Sequence, residues 1–151
     1  MQQSSPYKHE PVQPTILDGS ARIFLAKHDL AVLSTIGYDG WPHSAAVHYV
    51  FNGDHLYVLT KADTQKARDI ETNNKVAVTI YDTASVETIQ LIGLASVETD
   101  RALMQRIFVD LTRLRRYGIH VQAPPVTQTR QGDYVLIRIH PTRAHFRSYA
   151  A

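Results

Sequence analysis

The residues best placed to do chemistry lie in one short run, Thr60 to Arg68 (TKADTQKAR). An apolar, β-branched segment ends at Thr60, and a helix is expected to start near Thr64. Thr60 and Thr64 offer hydroxyls, and Lys61 and Lys66 offer ammonium groups. The first amides of a helix have no intrahelical acceptor, and the helix dipole adds partial positive charge at that end. Hydroxyls, ammonium groups and free amides together suit a phosphate dianion. The same residues also read more simply, as a threonine cap and two solvated lysines. Elsewhere the chain shows no nucleophile beside a base, no carboxylate pair arranged for acid–base work and no G-x-x-x-x-G-K loop.

Composition narrows the classes further. Charged residues make up 20% and hydrophobic residues 44%, which suits one packed domain rather than a disordered chain. A net charge of +2 argues for neither nucleic acid nor an anionic membrane as partner. With no cysteine there is no disulfide, thiolate metal site or cysteine nucleophile. The eight histidines form no H-x-x-x-H pair. The first residues, MQQSSPYKHEPVQPT, lack a signal-type apolar region, and no apolar run approaches the roughly 20 residues that cross a bilayer. A cytoplasmic location is the simplest expectation. Pro6, Pro11 and Pro14 make residues 1–15 an extended arm, leaving 16–151 as the domain.

Several elements must position the Thr60–Arg68 run. Asp18 or Ser20 caps a short helix to about His28. Strands follow at Leu30–Ile36, His43–Phe51 and Leu56–Thr60, joined by Asp39-Gly40 and Asn52-Gly53-Asp54 turns. A short helix over 63–70 precedes strands at Lys75–Tyr81 and Val86–Val97, where Gly93 suggests a bulge or barrel bend. Thr99 or Asp100 caps a helix to about Arg116, with Leu103, Ile107, Leu111 and Leu114 as its apolar stripe. Residues 117–132 read as a loop. Tyr134–Ile139 and Ala144–Tyr149 read as two closing strands. The order predicts a mainly β domain with flanking helices, a six- to seven-stranded antiparallel barrel without βαβ repeats. Trp41 reads as a ring packed on the barrel end in preference to a lid over a ligand. His43 and His48 are expected on opposite sides of their strand, with His48 on the side of Ser44 and Ala46. The arginines of the 101–116 helix spread around its axis and read as a solvated surface.

Several of these segments, taken in order, resemble the pyridoxamine 5′-phosphate oxidase-like superfamily of FMN-binding split barrels. They are L-A-V-L-S-T-I-x-x-D-G-W-P-H-S-A-A-V (Leu30–Val47), L-Y-V-L-T-K-x-x-T-x-K-A-R-D-I (Leu56–Ile70), N-N-K-V-A-V-T-I (Asn73–Ile80) and I-Q-L-I-G-L-A-S-V (Ile89–Val97). The ending Y-V-L-I-R-I-H-P-T-R-A-H-F-R (Tyr134–Arg147) looks like the family's last hairpin. The resemblance implies a homodimeric split barrel with FMN between two subunits, acting as an oxidoreductase on a small molecule. It implies a flavin along Ser44, Ala45, Ala46 and Val47, a strand end near the cofactor at Thr60 and Lys61, and a phosphate held by Thr64 and Lys66. The flavin would carry the electron chemistry, so no protein nucleophile need exist. A deazaflavin cofactor, a haem (with His140 or His145 among available ligands) and a non-catalytic flavin carrier are the alternatives. Pyridoxamine phosphate oxidases proper have arginine where this chain has Ser44, an Arg-Lys pair at Gln65-Lys66, glutamine at Thr88 and a C-terminal tail not found here. These departures point away from pyridoxamine phosphate oxidation itself and toward a looser phosphate grip.

Overall fold

In the computed structural model the described residues are 16–116 and 134–149, side chains excepted at 112–116. The expected N-terminal arm, the 117–132 loop and the side chain of Leu114 fall outside them. The elements run α1 (Gly19–Lys27), β1 (Leu30–Ile36), β2 (Pro42–His48), β3 (Val50–Asn52), β4 (His55–Lys61), α2 (Gln65–Thr72), β5 (Lys75–Asp82), β6 (Glu87–Glu98), α3 (Arg101–Arg116) and β7 (Tyr134–Ser148). All strand pairs are antiparallel, in the order β2-β1-β5-β6-β7-β4-β3. The two ends of that order, β2 and β3, are neighbours in sequence, separated only by Tyr49. One bent stretch of chain thus borders both edges of the sheet and curls it into a half-barrel.

Alternation produces this curl. In β1, Ala31, Leu33 and Thr35 are buried while Leu30 and Val32 are exposed; β5 and β6 repeat the pattern through Val76, Val78, Ile80 and Ile89, Leu91. The inward set, with Phe24 and Leu25 of α1, forms the main core. Asp18 caps α1 by accepting from the Ala21 amide at 2.8 Å. Tyr49 breaks the expected strand His43–Phe51 in two: its amide donates to Asp29, and its buried hydroxyl donates to the Leu25 carbonyl at 2.8 Å. α3 begins after Asp100, whose carboxylate accepts from the Ala102 and Leu103 amides. Gly40 and Gly53 both have positive φ in their hairpin turns.

Two expectations need correction. The chain ends in one strand, not a hairpin: β7 runs unbroken through His140-Pro141-Thr142. Pro141 is tolerated because the strand bulges there. Ile92 pairs with Arg143 and Gly93 with Pro141, so Thr142 is the extra residue and donates its hydroxyl to the Ile92 carbonyl at 3.2 Å. The bulge expected at Gly93 is present, with its extra residue on the facing strand. An added Cβ at Gly93 would lie 2.5 Å from the His140 carbonyl oxygen, so the strands approach too closely there for a side chain. Finally, Trp41 does not pack on the barrel end; it is 71% exposed in the β1–β2 hairpin. Its backbone amide is taken by Asp39 Oδ1, which holds the turn but leaves the ring in solvent. Among the described residues no helix is long and apolar enough to cross a membrane.

Candidate functional site

The region around α2 gathers the polar side chains that sequence pointed to, and others besides. α2 packs against β1, β2 and β6 through Ala67, Asp69 and Ile70, all buried. Its N-cap is Thr64, but the Thr64 hydroxyl does not cap the helix. It turns back and donates to the Lys61 carbonyl at 2.8 Å. Thr60 Oγ1 lies 3.3 Å from Thr64 Oγ1. Because Thr64 commits its proton to Lys61, Thr60 is the donor in that pair. The first-turn amides of α2 thus receive no side-chain cap and keep their capacity for an anion.

The cations differ in setting. Lys61 is exposed. Lys66 is half-buried and, among the described residues, its ammonium has neither an anionic partner nor a hydrogen-bond acceptor. Burial therefore holds its pKa below the ordinary lysine value. Arg68, not singled out in the sequence, folds back over the start of α2. Its guanidinium donates to the Asp63 carbonyl and, at 3.0 Å, to Gln65 Oε1. A second positive charge is thereby set beside the helix N-terminus.

On β2 the expected stretch divides by alternation. Ser44 and Ala46 face outward and are exposed, while Ala45 packs against the core and Val47 is buried in it. A ligand along this strand therefore meets the side chains of Ser44 and Ala46 and only the backbone of Ala45 and Val47. Ser44 Oγ lies 3.2 Å from Ser34 Oγ on β1. His48 shares the outward side with Ser44 and Ala46, and His43 takes the other.

Sequence reading missed the polar centre of the site, Asp69. Its side chain is only 2% exposed. Oδ2 accepts from Thr35 Oγ1 at 2.7 Å and pairs with His43 Nδ1 at 2.6 Å, while Oδ1 accepts from Gln65 Nε2 at 2.7 Å. Burial pushes its pKa up, but the bonds from Gln65, Thr35 and His43 outweigh it and hold the carboxyl below the ordinary Asp value. The carboxylate is therefore an anion that ties α2 to β1 and β2. The Gln65–Asp69 spacing of four on one helix face was a legible signal. Thr35 and His43 lie far away in sequence and gave none.

Comparison with known proteins places the fold. The sequence profile of the pyridoxamine 5′-phosphate oxidase family matches residues 17–148. No curated protein sequence matches the chain. Among solved structures, General Stress Protein 26 of Bacillus anthracis is 30% identical, with 82% of this chain and 88% of that one covered and a TM-score of 0.61. An F420 reductase is 24% identical, with 82% and 94% covered and a TM-score of 0.64. HutZ, a haem storage protein of Vibrio cholerae, is 19% identical, with 87% and 94% covered and a TM-score of 0.66. A family profile spanning nearly the whole described barrel, joined to the same fold in these structures, shows that the chain belongs to the pyridoxamine 5′-phosphate oxidase family.

Proposed function

We propose that the protein binds FMN between two copies of itself and serves as a cytoplasmic oxidoreductase for a small molecule. The observation that carries this reading is Lys66. A half-buried ammonium without a counter-ion costs stability unless something anionic meets it, and here it stands at the uncapped start of α2. A phosphate monoester answers that need. Lys66 and the first amides of α2 would hold it, Arg68 would add charge from the side, and Thr64 would reach it by turning off the Lys61 carbonyl. Ser44 and Ala46 leave the outer side of β2 low enough for a flat ring to lie along it. Bound FMN would supply the electron transfer through its ring system. The chain's own residues would hold the phosphate, orient the ring and exclude water.

A second copy supplies the other wall. Leu30, Val32, Tyr81, Ile92 and Leu94 are large apolar side chains left exposed on the outer side of β1, β5 and β6, continuous with Ala46. Contiguous apolar surface of this kind suits a self-complementary interface. A deazaflavin reading is kept as a second possibility because an F420 reductase shares the fold. The visible spectrum of the purified protein separates FMN, deazaflavin and haem. The decisive titration compares wild type with Lys66→Ala: FMN affinity is expected to fall by about 1.5–3 kcal/mol. Equal affinity in the two proteins would remove Lys66, and with it this reading of the site.

A further inference from the structure

The Asp69 cluster is too costly to be idle. A carboxylate 2% exposed is kept charged by three donors from three elements, and one of those donors is a histidine at the surface. Since Asp69 is ionised, the proton of the 2.6 Å contact lies on His43 Nδ1. That fixes the ring's orientation and tautomer and turns the other nitrogen, Nε2, away from the carboxylate. The His43 side chain is 39% exposed, and Nε2 has no partner among the described residues. Gly37 lets the ring sit there: an added Cβ would meet His43 Cε1 and Asp39 Oδ1, each at 2.7 Å.

Hydrogen bonds link this ring to the start of α2. His43 lies on the side of β2 opposite Ser44, where it meets Asp69 of α2. The carboxylate that holds it also holds Gln65, the first residue of α2, and Gln65 in turn holds Arg68. Arg68, Gln65, Asp69 and His43 form one hydrogen-bonded chain from the helix start to β2. A staple between α2 and the β1–β2 hairpin needs Thr35 and Gln65 but no half-exposed imidazole with an open nitrogen.

We infer that His43, oriented by Asp69, is a further ligand-binding residue of this site: when the nucleotide binds, Nε2 takes up a proton from solvent or from the monoprotonated phosphate, and the imidazolium, its Nδ1–H still on Asp69, gives a hydrogen bond from Nε2 to a phosphate oxygen. The inference rests on the proposed phosphate site at α2. His43 would fill part of the role that arginine at the Ser44 and Gln65 positions plays in the resemblance noted above. Asp69 would act as a positioning residue through His43.

His43→Asn tests this directly. Asparagine keeps an N–H near the place of Nδ1, so the bond to Asp69 survives, but it deletes Nε2. The expected result is an unchanged melting temperature with FMN affinity weakened about tenfold or more. In 15N spectra of the wild-type histidine rings, FMN and inorganic phosphate should shift His43 Nε2, whereas riboflavin should not. Asp69→Asn should change the His43 tautomer in the same spectra and weaken FMN. If His43→Asn binds FMN like wild type while Lys66→Ala does not, the dyad is structural only and the inference is overturned with the phosphate site intact. An Nε2 resonance indifferent to saturating FMN overturns it equally, even should the asparagine variant fail to fold. If wild type binds no FMN, both readings fall.

Discussion

The two outer sides of the half-barrel are built from the same kind of strand yet finish differently. On the side of β3, β4 and β7, the chain covers its own surface: Ile107 and Leu111 of α3, with Leu103 and Met104, close over Val50, Tyr57, Leu59 and Leu136. Leu136 and Ile107 are left 0% and 1% exposed. On the side of β1, β5 and β6, Val32, Ile92 and Leu94 remain 43%, 43% and 44% exposed, with no helix of the described residues above them. Sheets need a cover on each apolar side. Where the sequence provides one, it lies between β6 and β7. Where the described residues provide none, the second copy proposed above would be the cover, and the outward residues of β2 belong to that side.

Three perturbations sharpen this contrast. Leu136→Ala strikes the covered side and should destabilise the fold by about 2–5 kcal/mol, read from chemical denaturation, because the helix cannot collapse fully into the gap. Ile92→Glu strikes the bare side. It should shift the monomer's own stability by only about 0.5 kcal/mol, yet turn a dimer in sedimentation into a monomer, and a variant as dimeric as wild type would break the comparison. The smallest effect belongs to the barrel end between them. The folded-state pKa of Asp69 lies below its ordinary 3.8, so its stabilising contribution is present above that value and lost as pH falls through the lowered one. Asp69→Asn should melt lower at neutral pH but lose less on acidification than wild type, as thermal melts across the acid range would show.

Much of the fold was legible because burial follows period two so regularly in β1, β5 and β6, and because Asp39-Gly40 and Asn52-Gly53-Asp54 are strong turn signals. Pro141 misled for a physical reason: proline usually ends a strand, and only the facing Gly93 shows that a bulge is sterically possible. The candidate site was half legible. Thr60, Thr64 and Lys66 are local to one strand–helix junction, and the structure sets the two hydroxyls 3.3 Å apart. Asp69 looked like one more polar residue on a short surface helix. Its meaning lies in partners 34 and 26 residues away, which only the closed barrel brings within reach. Arg68 was hidden because a side chain that bends back along its own helix leaves no mark in spacing.

The position of β7 in the sheet has a consequence for how the molecule is made. It lies between β6 and β4, and among the described residues it alone joins the β3–β4 hairpin to the other strands by backbone hydrogen bonds. A nascent chain can zip up β1, β2, β5 and β6 early, but β4 waits for a neighbour that leaves the ribosome well after it. Until then β4 and β6 each show an unpaired edge, an invitation to wrong partners. β7 is thus the keystone of the arch, and the interval before it arrives is when this chain most needs protection.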